Sequence, residues 1–446
     1  MTRFALLAAL LTACVNAPTF NGIEDQSDAG AADAAPEVGT ATVFASMRNG
    51  SDSPQPDVHV VFTDASGTIT FEGDTDGTGI AAGQVVEGGT LFAAYASPAV
   101  LVVITKIKPG ETYHIGEPRY GLLPRTPAAT MSLTKYATST IYKGLSRCGG
   151  GAITSIATAI SMVFTWTEGC SSGETVGVMA TAADAVGAPI ASKYIEVPYA
   201  MAAIANTGAF VLPASVDFKL TAPSDLLAMS PTVSVVDHQL LFGGPAGPMI
   251  AQGETTASLP YFVAGPSSPL QLTVDMAAGG NKGSMQYYGH LAPQSLGVVL
   301  DLSAAARPQY LSDLVVPTKL ELEPAFSWSA SPGQPSQVAL LAVVLTHPND
   351  PPNGGSTIRY VFEPTDTRLM PPPIPALPQF AAFQPDDSSV SAARIYAVRF
   401  PEGTADYAVA RQVADRVLYL SPTTSMLGQQ LLAMPAVSAA FVSVSQ

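Results

Sequence analysis

Apolar residues in this chain come in short runs, and Gly, Pro, Asp or Asn punctuates nearly every one. Thr40–Ser46 and Val58–Thr63 read as strands, separated by the turn-rich stretch Asn49-Gly-Ser-Asp-Ser-Pro-Gln-Pro56. Asp64-Ala-Ser-Gly67 then predicts a tight turn into Thr68–Phe71, and Asp74-Thr-Asp-Gly-Thr-Gly79 a second turn. Gly89–Tyr95 and Ala99–Ile107 complete a block over 39–131. Short strands with regular turn signals argue for a sandwich. His59 lies between Val58 and Val60, where period-two alternation points it outward.

The same rhythm continues. In a block over 132–308, Ser139–Tyr142, Ile160–Trp166, Thr175–Ala180, Phe210–Leu212, Val216–Leu220, Val233–Val236, Leu270–Val274 and Val298–Leu302 read as strands. In a third block, 309–446, Lys319–Trp328, Val338–Thr346, Thr357–Phe362, Ala393–Phe400 and Ala436–Val444 do so. One segment breaks the pattern. Tyr407, Ala410, Val413 and Val417 recur at helical spacing behind Thr404 or Asp406 as a cap, predicting a short helix within 404–416. The fold class expected is all-β: several β-sandwich domains with that one short helix.

Composition fits this picture and narrows the function. Hydrophobic residues make up 47% of the 446, enough for real cores, while charged residues are only 12%, about half the usual share. Net charge is −15, with no run of Lys or Arg to neutralise phosphates, which argues against nucleic-acid binding. The same deficit argues against an electrostatic grip on anionic headgroups.

The first residues give an address. Arg3 precedes the apolar run Phe4–Leu11, an export signal too short to span about 30 Å of hydrocarbon. Leu11-Thr-Ala-Cys14 follows and resembles the bacterial lipobox. That resemblance implies cleavage after residue 13, lipidation of Cys14, and the membrane as a partner through the lipid. The alternatives are an ordinary cleaved signal or an internal apolar segment. Val15 stands where aspartate would resemble an inner-membrane retention signal, which points towards the outer membrane of a cell envelope. Residues 14–38 carry Glu24, Asp25, Asp28, Asp33 and Glu37 and no Lys or Arg. They read as a disordered tether that reaches roughly 25–30 Å as flexible coil.

Pro56-x-Val58-x-Val60-x-Phe62, Asp64-x-x-Gly67 and Thr75-Asp-Gly-Thr-Gly79 resemble the carboxypeptidase-regulatory, transthyretin-like repeat. Lys108–Gly116 is similar to the segment closing such modules in myxobacterial-type lipoproteins. The resemblance covers about a fifth of the chain and implies a seven-stranded sandwich over 39–131, used as a spacer or adhesion module. It carries no catalytic residue. With Cys14 acylated, Cys148 and Cys170 remain as one even pair in an oxidising compartment. A disulfide between them stabilises by about 3 kcal/mol on the chain-entropy model; two free buried thiols are the alternative.

Enzyme motifs are present only in fragments. Gly169-Cys-Ser-Ser-Gly173 matches the nucleophile elbow, with His238, His290 and His347 downstream. The elbow needs a helix after Ser171, whereas Thr175–Met179 reads as a strand. Ser132-Leu-Thr-Lys135 lacks its partner motifs. Asp74-Thr-Asp-Gly77 starts like a calcium loop, but the later ligands fall out of register. The five histidines have no metal-ligand spacing. Pro371–Pro378 reads either as a polyproline II face for a partner or as a rigid cover. Trp166, Trp328 and Tyr287-Tyr288 read either as a sugar-stacking surface or as core. No metal or other cofactor is expected. The reading is a lipid-anchored envelope protein with a non-catalytic binding, structural or adhesion role towards an envelope protein or glycan. The alternative is a hydrolase acting on envelope or extracellular polysaccharide or protein.

Overall fold

An aspartate followed three residues later by glycine makes three of the tight turns, two of which close hairpins. Asp64 Oδ1 accepts from the backbone of Ser66 and Thr68, Asp76 Oδ1 from Thr78 and Ile80, and Asp184 Oδ1 from Val186 and Ala188, all at 2.8–3.1 Å. Gly67, Gly79 and Gly187 close these turns at φ +88°, +74° and +89°, a region that glycine enters without steric cost. The computed structural model describes residues 35–46, 54–97, 99–116, 125–136, 139–146, 149–155, 159–167, 175–198, 203–204, 209–221, 226–237, 240–243, 250–251, 256–263, 270–278, 284–291, 297–301, 309, 311–321, 324–346, 355–384, 389–399, 406–412, 414–415 and 439–445.

The architecture is all-β and sandwich-like. Its first strands are β1 (Val38–Ala45), β2 (His59–Thr63), β3 (Ile69–Asp74), β4 (Ile80–Val86), β5 (Gly89–Ala96), β6 (Ala99–Ile107) and β7 (Thr112–Ile115). β1 lies between β4, antiparallel, and β7, parallel. Facing them, β6, β5, β2 and β3 pair antiparallel in that order. Val43, Val60, Phe62, Leu91, Val102 and Ile104 fill the space between the two layers.

The pairing does not stop at β6. Ser356–Phe362 lies parallel to it, from Thr357 opposite Val100 to Val361 opposite Ile104. Val338–Thr346, Ser389–Arg399 and Ala439–Ser445 extend the sheet. Ser284–Leu291, Leu270–Ala278, Leu226–Asp237 and Leu240–Gly243 continue it. The result is one thirteen-stranded sheet with strands from all three sequence blocks.

This sheet has no wet face along its middle. Val100, Val102 and Ile104 of β6 enter the core shared with β1, while Leu101 and Val103 enter a second core on the opposite side. That second side is covered by two three-stranded sheets. In one, Ala214–Thr221 pairs with Thr256–Tyr261 and Gly297–Asp301; in the other, Phe326–Ala330 pairs with Leu311–Val315 and Arg368–Leu369. Burial on both faces explains why these strands read as unbroken apolar runs. Each such side chain contributes roughly 1.5–3 kcal/mol relative to exposure. Residues 125–204 add a seven-stranded sheet with its own cluster around Met131, Tyr142, Ile160, Met162 and Val178.

Three expectations change and one holds. His59 is buried, because the sheet face it was to show to water is covered by the Phe380 ring, 5.6 Å away. The run 319–328 is not one strand: Leu311–Val315 and Phe326–Ala330 flank an irregular stretch whose Pro317 and Pro324 carry no N–H for a ladder. Of 210–212, only Val211 bridges, to Ser192. The expected short helix within 404–416 is present: α1 spans Tyr407–Ala410 and is capped by Asp406, whose carboxylate accepts from Val409 N at 2.9 Å.

Phe71 closes the first sandwich over two glycines, and a Cβ on Gly83 would meet its ring at 2.1 Å. Gly83→Ala is expected to destabilise by about 1–3 kcal/mol through overpacking, read as a lower urea midpoint. Adding Phe71→Leu should recover part of the loss, and an unchanged midpoint for Gly83→Ala would contradict this packing.

Candidate functional site

In a chain so poor in charge, a dense set of ionisable side chains among the described residues lies where α1 meets the first sandwich. The turn before β7 presents Glu111, and the turn after α1 carries Arg411, whose Nη2 and Nε donate to the two Glu111 oxygens at 2.5 and 3.1 Å. The Tyr113 hydroxyl also donates to Glu111 and accepts from Lys108 N at 3.0 Å. The Arg411 guanidinium lies 5.1 Å from the Tyr407 ring centre. One turn on, Asp415 accepts from Arg359 Nη1 at 3.2 Å and from Gly116 N at 2.8 Å. Arg359, Arg411 and Asp415 are each 4% exposed or less.

The local sequence explains the geometry. Gly116 sits at φ +93°, and a Cβ there would meet Ser46 O at 2.3 Å, so only glycine lets the chain turn under Asp415. His114 N donates to Gln412 O at 2.7 Å. Together with the Gly116 bond, this occupies outward N–H groups of β7 and covers an otherwise open sheet edge. The Tyr407 hydroxyl lies 3.0 and 3.3 Å from the carbonyls of Thr105 and Val361, spanning β6 and its parallel partner.

The electrostatics suit fastening rather than proton transfer. Burial, aided by the Glu111 carboxylate, pushes Tyr113 far above the ordinary phenol range, and burial does the same to Tyr407. Both hydroxyls stay protonated at any working pH. Burial opposes the charge on Arg411, but its bonds to Glu111 outweigh that and hold its pKa above the ordinary value. Each charged group has a partner, which buried ions require.

The sequence-derived residues fall out as follows. Cys14, Cys148 and Cys170 lie outside the described residues, as do Ser171, His238 and His347. His290 is placed by backbone only, opposite Gln271. Ser132 lies in the strand Arg125–Thr134 and Lys135 just beyond it. Three residues of extended chain separate them by about 10 Å and turn the two side chains to opposite faces, so they form no dyad. Asp76 Oδ1 is engaged by Thr78 and Ile80, whose hydrogen bonds, led by the Thr78 hydroxyl, hold its pKa below the usual carboxylate range. Asp74 turns instead to His59 Nδ1 at 2.7 Å, and Glu72 lies 3.5 Å from the other ring nitrogen.

Among the described residues no three His, Cys, Asp or Glu converge as metal ligands, and no helix is long and apolar enough to cross a membrane. The proline run is a cover, with Pro371 buried and Ile374 and Leu377 packed on the second core beside Phe380 and Phe383. Trp328 is core, 5.8 Å from the Phe362 ring. The side chains of Trp166, Tyr287 and Tyr288 lie outside the description. Periodicity alone missed the Arg411–Glu111 and Arg359–Asp415 pairs. Their only trace was a charge set inside an apolar run, as in Thr357-Ile-Arg-Tyr-Val-Phe362.

No protein-family model matches the sequence, and no curated protein matches it. Among solved structures, the TIE protein of Bacillus anthracis aligns over 59% of this chain and 49% of its own length, at 12% identity and a TM-score of 0.14. The chain thus spans about half the length of that protein. The major pilin subunit BcpA of Bacillus cereus aligns over 60% of this chain and 99% of its own, at 8% identity and a TM-score of 0.13. A variant of the same pilin aligns equally. Likeness at this level carries no functional argument.

Removing Asp415 would take from the buried Arg359 guanidinium the carboxylate that lies 3.2 Å from Nη1. Asp415→Ala is expected to cost about 3–5 kcal/mol, measured by chemical denaturation. The double variant Arg359→Met/Asp415→Ala should lose less than the sum of the single changes; strict additivity would show that the two groups do not interact.

Proposed function

We propose that the chain is a lipid-anchored protein of a bacterial cell envelope, held at the outer membrane through Cys14, with a non-catalytic binding, structural or adhesion role. The address comes from Arg3, the apolar run to Leu11 and the Leu-Thr-Ala-Cys14 box, followed by an acidic tether without Lys or Arg. A diacylated or triacylated terminus binds far more firmly than one acyl chain.

The observation that carries the non-catalytic role is the use made of the ionisable groups. The largest described cluster, Glu111, Arg411, Asp415 and Arg359, is spent on joining the first sandwich to residues 356–415. Such a body suits a protein that presents surfaces at the end of a tether. A Cys148–Cys170 disulfide fits the strands that flank it. Ser146 pairs with Gly149, and Cys148 lies between them in sequence. Gly151 opposite Phe164 brings the end of Ala159–Thr167, just before Cys170, to the same end of the sheet.

Two measurements test the reading. Cys14→Ala should move the protein from the membrane fraction to the soluble one; undiminished membrane retention would sink the anchor. Thiol labelling of the denatured, unreduced mature protein should find neither Cys148 nor Cys170 free, and stoichiometric labelling of both would remove the disulfide.

A further inference from the structure

We infer that a recess beneath the proline loop is a binding site for a primary ammonium group, carried by a small alkylamine or by a lysine side chain. The inference develops the binding half of the function proposed above and is independent of the lipid anchor. Pro324, Pro372 and Pro373 form much of its wall, Tyr360 its floor, and Glu321 and Gln384 supply the other polar groups, around a cavity of about 30 Å³.

Tyr360 stands on Ser356–Phe362 with its ring 6.1 Å from that of Phe326 and is only 2% exposed. Its hydroxyl hydrogen-bonds to none of the described residues, and burial alone pushes its pKa well above the phenol range. Tyr360 is buried as a residue while it lines the recess, so a polar occupant there can complete the bonding of its hydroxyl. The Gln384 amide nitrogen gives one of its two N–H groups to Pro375 O at 2.7 Å, and its carbonyl oxygen remains as an acceptor.

The available polar atoms are therefore a neutral phenol oxygen, an amide oxygen and a carboxylate. All three accept hydrogen bonds, the second Gln384 N–H is the one further donor, and none of the described lining residues is cationic. An anion would meet Glu321 and be rejected. An ammonium group offers three donors and no acceptor. Its size also fits, since the cavity holds roughly one group of the volume of water, too little for a planar guanidinium or a quaternary ammonium. The proline rings give a methylene stem an apolar wall that a lone water would not use. The net charge of −15 raises the local concentration of cations around the protein.

The test uses the full mature protein with carbon-13 in the tyrosine ζ position, titrated with n-butylammonium and with N-acetyl-lysine methylamide. One tyrosine resonance, identified by its absence in Tyr360→Phe, is expected to shift saturably in the millimolar range. Glu321→Gln, at an exposed position, should weaken binding about tenfold, or 1.4 kcal/mol, without touching the fold. Tetramethylammonium and sodium should leave the resonance unmoved. A response to butylammonium but not to the lysine derivative would assign the site to free amines; a response to both would admit side chains of a partner. No saturable shift, an equal response to tetramethylammonium, or a shift indifferent to Glu321→Gln would overturn the site. None of these outcomes alters membrane retention, so a failure here is separable from failure of the anchor.

Discussion

The parallel pairing of β6 with Ser356–Phe362 joins stretches of chain more than two hundred residues apart, and the rest of the body leans on it. Five residue pairs, from Val100–Thr357 to Ile104–Val361, make the two halves of the sheet continuous. Because that seam lies mid-sheet, both its faces must be dry. β1, β4 and β7 cover one face, and the smaller sheets with Phe380 and Phe383 cover the other. Parallel strands have few other stable settings. Loop closure over such a separation costs entropy that only extensive apolar burial offsets.

The buried ion pairs follow from the same constraint. β7 ends the smaller sheet on the side where α1 lies, and its outward N–H groups need partners. The segment after α1 supplies them through Gln412 O and the Asp415 carboxylate. Arg359 then neutralises Asp415 from the central sheet, while Arg411 returns to Glu111. A few charges in a charge-poor chain thus fix the register between the first sandwich and a distant segment. Apolar contacts tolerate sliding; a guanidinium facing a carboxylate under a glycine tolerates far less.

Much of the strand inventory was legible in the sequence. Ala99–Ile107 and Val338–Thr346 have the bounds that their apolar runs predict, and the Asp64-x-x-Gly67 turn announces its hairpin. Partners were not legible, because a run such as Ala-Val-Leu-Val-Val-Ile carries no mark of which strand it meets. His59 shows the cost of assuming one wet face. Alternation placed it correctly opposite Val60 but said nothing of the Phe380 ring that covers it. Of the candidate chemistry, Ser132 and Lys135 were refuted by strand geometry, while Tyr360 gave no signal, being one more aromatic in an apolar strand. The cavity over it depends on Pro372 and Pro373, which sequence placed in a loop without saying what lay beneath.

Hydrogen exchange followed by mass spectrometry tests the seam most directly. If β6 and Ser356–Phe362 are paired strands of one doubly covered sheet, peptides spanning 99–107 and 356–362 should lose protection together, in a single opening near the free energy of global unfolding. Exchange of 356–362 while 99–107 stays protected would contradict the account.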